Sequence, residues 1–121
     1  MLQINLGAMR YQPDDQDDDF LPRTLAGWAH TMSETQVYDS ARGWWRLNAG
    51  RARNERYAVV VAGGRVRQII EINPDDWTYA PNIDRWAFSG TILQAGHPVH
   101  DRYIGQSLRR TGQNPIRYLQ D

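Results

Sequence analysis

Tyr57-Ala58-Val59-Val60-Val61-Ala62 is a β-branched, apolar run, and Arg65-Val66-Arg67-Gln68-Ile69-Ile70-Glu71-Ile72 resumes the extended pattern after Gly63-Gly64. Two residues that tolerate positive φ, set between two such runs, are what a tight β-hairpin needs. The second run is expected to place Val66, Gln68, Ile70 and Ile72 on one face. Arg65, Arg67, Ile69 and Glu71 then occupy the other. A hairpin with this much apolar surface cannot stand alone in water, so the rest of the chain must cover it.

The flanking sequence supplies further elements. Leu2, Ile4 and Leu6 alternate with polar or small residues, which predicts a strand within residues 1–10. Ser33 is placed to cap a helix over residues 33–42, which Gly43 ends. Trp44–Leu47 reads as a strand, and the polar run Asn48–Arg56 leaves room for one helical turn. Trp77–Ala80, then Arg85–Leu93 with Gly90 as a bulge, read as strands separated by a Pro81-Asn82 turn. Residues His100–Arg110 suit a short helix, and Ile116–Leu119 a closing strand. The expected architecture is a single α+β domain over residues 1–121, built as a small curved sheet or β-barrel with two short flanking helices.

Charge is distributed unevenly. Residues 1–39 carry seven acids against two arginines, a net of −5, while residues 40–121 carry twelve arginines against seven acids, a net of +5. Much of the negative charge sits in Asp14-Asp15-Gln16-Asp17-Asp18-Asp19, inside a segment of about residues 11–23 that reads as a solvated acidic loop. All fourteen basic residues are Arg, and the chain contains no Lys and no Cys. That removes lysine Schiff-base chemistry, cysteine nucleophiles, disulfides and thiolate metal sites. A GC-rich genome accounts for Arg over Lys without any functional reason. Guanidinium groups also suit bidentate phosphate binding and stacking on aromatic rings. No apolar run reaches the length of a membrane span and no basic-then-apolar leader opens the chain, so a soluble cytoplasmic protein is expected.

The densest constellation lies between residues 42 and 67, where seven arginines face one acid, Glu55, around Trp44 and Trp45. Arg85-Trp86 repeats the pairing. Arg interleaved with indoles is the equipment for neutralising phosphate and stacking a base. The candidate ligand-binding residues are therefore Arg42, Trp44, Trp45, Arg46, Arg65, Arg67, Arg85 and Trp86. Adjacent strand residues face opposite ways, so at most one of Trp44 and Trp45 belongs to the core. His97 and His100 are the candidates for acid–base chemistry, but Pro98 between them and the lack of a third ligand speak against a metal. No serine sits in a nucleophile-elbow motif. No metal or cofactor is expected.

Two family resemblances can be weighed on these residues. Tyr103-Ile104-Gly105-Gln106-Ser107 resembles the second half of the GIY-YIG nuclease motif, but no Gly-Ile-Tyr precedes it and no Glu follows it. Wider in extent are Tyr38–Leu47, the segment from Tyr57 through Ile72, Arg85–Gly90, Tyr103–Ser107 and Gln113–Tyr118. Together, over about residues 35–119, they resemble small bacterial and phage domains of the PUA-like superfamily, relatives of ASCH, EVE and YTH domains. The resemblance implies a compact β-barrel with flanking helices that binds RNA, modified DNA or a nucleotide. Some ASCH-like proteins are ribonucleases that use Lys and Tyr, and a chain without Lys departs from them.

These readings lead to a non-catalytic binding module for nucleic acid or a nucleotide-like ligand. The alternative is a protein-interaction module, a phage-type inhibitor or an oligomer-forming protein, in which the acidic and basic parts pair across an interface. A phosphodiester-acting enzyme using His97 or His100 is a third reading.

Overall fold

A computed structural model describes residues 1–8, 10–11, 25–108 and 115–119. The strands are β1 (Leu2–Leu6), β2 (Arg10–Tyr11), β3 (Leu25–Ala26), β4 (Tyr57–Ala62), β5 (Arg65–Ile72), β6 (Thr78–Ala80), β7 (Arg85–Ala87), β8 (Gly90–Ile92) and β9 (Ile116–Tyr118). The helices are α1 (Glu34–Ala41), α2 (Ala49–Ala52) and α3 (Pro98–Tyr103). The domain is α+β, with three short helices among the described residues where the sequence suggested two. Asp14 to Asp19 and most of the expected acidic loop lie outside the described residues.

The principal sheet has five strands in the order β8-β5-β4-β1-β9. It is mixed: β1 runs parallel to β4 and antiparallel to β9, while β4, β5 and β8 are antiparallel in sequence. The expected barrel is not what the described residues form, because the edge strands β8 and β9 are not paired with each other. Each edge strand is only three residues long, which limits the exposed backbone. β2 pairs with β3 and β6 with β7 in two small separate ribbons.

The β4–β5 hairpin forms as its sequence requires, with Gly63 and Gly64 at φ 58° and 76°. Both positive values suit a two-residue turn whose twist matches the strands. The expected face assignment needs correction at one residue. Val61 pairs with Val66 and Val60 with Gln68, so Arg67 is an extra residue in β5, a β-bulge. The bulge reverses the alternation. Val66 joins Ile69, Val59 and Val61 in one cluster, and Ile70 and Ile72 join Ala58, Val60, Leu2, Ile4 and Phe88 in the other.

α1 covers the second of these clusters through Val37 and Ala41. Ser33 accepts from the Gln36 N–H while the Gln36 side chain accepts from the Ser33 N–H, a reciprocal cap that satisfies two otherwise free helix donors. α2 is capped by Asn48, whose side chain accepts from the Arg51 N–H. α3 begins at Pro98, earlier than expected, because His97 caps it and proline is well tolerated at the first helical position.

Residues 85–93 are two strands rather than one bulged strand. β7 belongs to the β6–β7 ribbon and β8 to the main sheet, with buried Phe88 at the corner. The Phe88 N–H donates to Arg42 O at 2.9 Å, and the Gly90 N–H to the Tyr38 hydroxyl at 3.0 Å. Gly90 is required by proximity. A Cβ there would lie 2.2 Å from the Glu71 carbonyl oxygen and 2.8 Å from Ile70 Cγ2. Gly90→Ala is expected to separate β8 from β5 and to destabilise the domain by about 1–3 kcal/mol, read as a lower urea midpoint.

Candidate functional site

The link from α1 to α2 carries the tandem indoles. Expected as a strand, Trp44–Leu47 makes a single bridge: Trp45 and Trp86 exchange both backbone N–H···O bonds, each 2.8 Å. That pair lays the Trp44–Arg46 backbone beside β7. Neighbours along β7 face opposite ways, so Arg85 lies on the side of the ribbon away from Trp86. Trp45 packs against the core and its indole N–H donates to Ala41 O at 2.6 Å. Trp44 is half-buried and belongs to neither core cluster.

Trp44, Trp45, Arg46, Arg85 and Pro115 surround a concavity of about 440 Å³. This falls in the range of small-ligand sites. Arg46 and Arg85 make no ion pair among the described residues. No Asp, Glu or His is among the described walls. The site therefore offers two guanidinium forks and an indole, which can hold an anion and stack a ring. Its described walls present no carboxylate or imidazole for moving a proton.

Four of the eight predicted residues, Trp44, Trp45, Arg46 and Arg85, thus meet at one place. Trp86 sits on the reverse face of the ribbon. Its ring contacts Tyr79 at 4.8 Å between centroids, and the Arg53 guanidinium lies 5.2 Å from its centre. Tyr79 in turn donates from its hydroxyl to Asp84 at 2.8 Å, and that bond raises its phenol pKa above the ordinary value. Arg42 is a brace: its Nε–H donates to Phe88 O at 2.9 Å and its guanidinium lies over the Tyr38 ring.

Arg65 and Arg67 are not among the described walls of this concavity. Arg65 donates to Gly105 O at 3.1 Å, and Arg67 donates from Nε to Ala62 O and covers Trp28 at 4.2 Å. The continuous basic stretch of residues 42–67 is therefore not one patch.

Sequence reasoning missed Pro115, and it counted Arg53 only within the basic run and Tyr79 only among the rings available to sandwich a base. Pro115 arrives because β9 pairs with β1 and the Asn5 N–H donates to Pro115 O at 2.8 Å, a contact with no local signal. Arg53 and Tyr79 had one signal each, an Arg in a basic run and an aromatic in a strand, but nothing that joined them to Trp86. A larger concavity of about 560 Å³ lies by Arg53, Arg56 and Glu71. Three of its four charges are already matched, Arg56 to Glu71 at 3.0 Å and Glu55 to the Met1 ammonium at 3.1 Å, and the fourth, Arg53, lies over the Trp86 ring. That makes it a weaker attractor for an anion than the pair Arg46 and Arg85.

The two candidate acid–base histidines serve α3. His97 Nδ1 accepts from the Val99 N–H, and His100 Nδ1 meets Asp101 Oδ1 at 2.9 Å. That His100 contact, followed by the Gly96 N–H, holds the Asp101 carboxyl below its ordinary pKa. A carboxyl lowered in the folded state contributes stability above its unfolded pKa, and the contribution is lost as acid protonates it. Asp101→Asn is expected to remove that acid-side dependence while leaving the neutral-pH fold intact, measured as urea midpoints from pH 7 down to pH 3. No group of three His, Asp or Glu residues placed to hold a metal occurs among the described residues. No described helix is long and apolar enough to cross a membrane.

Neither a family model, nor a curated protein, nor a solved structure matches the chain.

Proposed function

We propose that this chain is a non-catalytic binding module for nucleic acid or a nucleotide-like ligand, with Trp44, Arg46 and Arg85 as its contact residues. The observation that carries this reading is the concavity in which two arginines without ion pairs among the described residues flank an indole outside the core. Phosphate oxygens match the guanidinium forks, and a base matches the indole face. The PUA-like resemblance of residues 35–119 points to the same ligand class, although the sheet here is open. Labelled single-stranded RNA, single-stranded DNA, modified duplex DNA and free nucleotides, titrated by fluorescence anisotropy at 50–300 mM salt, test the proposal. Affinity should fall steeply with salt as counterion release is lost. Absent or salt-insensitive binding across all four overturns it.

The charge division, with Tyr79 42% exposed beside Trp86, favours a protein interface as the second reading. Deleting residues 11–20 separates the two. Loss of an acidic competitor tightens binding to nucleic acid, whereas loss of an acidic docking segment loosens a protein complex or a self-associated form in sizing experiments.

A further inference from the structure

Arg46 and Arg85 are brought together by register. Trp45 and Trp86 form an antiparallel bridge, Arg46 follows Trp45, and Arg85 precedes Trp86, so the two arginines take the next facing positions along the two chains. Trp45 and Trp86 exchange both backbone bonds, and the pair next to such a pair is the kind whose side chains lie closer. Both arginines line the same concavity. Like charges set opposite each other repel. Nothing in the described walls offsets them. No carboxylate is there, and neither guanidinium has an ion pair or a hydrogen bond among the described residues. Arg85 is half-buried, where a charge without a counter-charge is costly. Pro115 adds no competing acceptor, because its carbonyl is taken by the Asn5 backbone N–H and side-chain amide, at 2.8 and 3.2 Å.

We infer that this concavity selects a phosphate monoester, the phosphorylated end of a strand or a free nucleoside monophosphate, over the diesters inside a strand. The inference rests on the proposed nucleotide site and narrows it to one kind of phosphate. A monoester carries about 1.5 to 2 negative charges near neutral pH and three strong acceptor oxygens. Two guanidinium forks can share those oxygens and balance that charge on a single group. A diester carries one charge and has two of its oxygens esterified. It satisfies one fork and leaves the other arginine beside a like charge. Trp44 suits the same end of the ligand. A terminal base has a neighbour on one side only, so its other face is open for an indole to stack on.

Adenosine monophosphate and its methyl phosphate ester share base and sugar and differ only at the phosphate. Each is titrated into the full chain by isothermal calorimetry. A short single strand with hydroxyl ends, a 5′-phosphate or a 3′-phosphate is then compared by competition at fixed salt. The monophosphate should bind at least about tenfold more tightly than its methyl ester. At least one phosphorylated end should outcompete the hydroxyl-ended strand by a similar factor. Arg46→Gln and Arg85→Gln should each bring the monophosphate down to the affinity of the methyl ester. Arg46 is exposed, so Arg46→Gln decides the matter if Arg85→Gln fails to fold. Three results overturn the inference while the nucleic-acid reading stands: equal binding of monophosphate and methyl ester, hydroxyl-ended strands that bind as tightly as phosphorylated ones, or a preference that survives both substitutions. No binding by any nucleotide or strand overturns both.

Discussion

Replacing Arg46 and Arg85 together with Gln should flatten the salt dependence of nucleic-acid binding more than any other pair of changes. If each contacts one phosphate of a single strand, the slope of log K against log salt shrinks by about 1.4. Adding Trp44→Ala should cost a further 1–3 kcal/mol or so, the usual value of one stacked base. The fold should survive all three, because Arg46 is exposed, Trp44 belongs to neither core cluster and none of them carries a helix cap. Arg65→Gln, outside the described walls of the concavity, is the matched control and should leave the slope unchanged. Equal losses from Arg65→Gln and from the Arg46 and Arg85 pair would mean that binding follows net charge rather than the concavity.

Phe88→Ala is expected to have the largest effect on stability, about 3–5 kcal/mol, the range for removing a fully buried phenyl. Phe88 is 1% exposed, packs on Trp77 at 5.4 Å between centroids, and fills the corner where β7 hands over to β8. A domain of this size has only a modest total stability, so such a loss is a large share of it. Urea unfolding monitored by circular dichroism measures it, and a change below about 1 kcal/mol would mean that the corner can collapse around the void. Phe88→Leu, which keeps most of the volume, should recover more than half of the loss.

Where local chemistry decided the outcome, the sequence was readable. The hairpin followed from β-branched runs around Gly63-Gly64, and the start of α1 from Ser33 as a cap. The division of labour between Trp44 and Trp45 followed from alternation alone, since neighbours in an extended chain cannot both face inward. What was not readable depended on pairing between distant segments. No residue type at Arg67 announces a bulge, because the bulge exists only relative to the register of β4. The break at Phe88-Ser89 is hidden in an apolar run that could continue straight. Four of the five described walls of the candidate site, Trp44, Trp45, Arg46 and Arg85, were legible as candidates. That Arg85 lies beside the others depends on Trp86 pairing with Trp45, and Pro115 arrives only because β9 returns to β1.

The same logic explains why the arginine count along residues 42–67 overstated the patch. Spacing along the chain becomes proximity only within one element or across one ladder. Arg51 lies over Tyr118, Arg53 over Trp86, Arg56 over Tyr57 and against Glu71, and Arg67 over Trp28. These residues are distributed over separate aromatic partners, where their stems and charges cover rings. At the concavity, Arg46 and Arg85 have neither such a ring partner nor an ion pair among the described residues.

The reciprocal bond pair between Trp45 and Trp86 makes the ribbon a two-sided panel. One side holds the proposed contact residues and the other an aromatic stack of Tyr79 and Trp86. A tilt of the panel by a ligand on the first side must therefore displace indoles on the second. The chain would then carry its own optical gauge. In a Trp28→Phe, Trp77→Phe background, the emission of the remaining three tryptophans, Trp44 and Trp45 at the site and Trp86 behind it, would register occupancy with no label on protein or ligand.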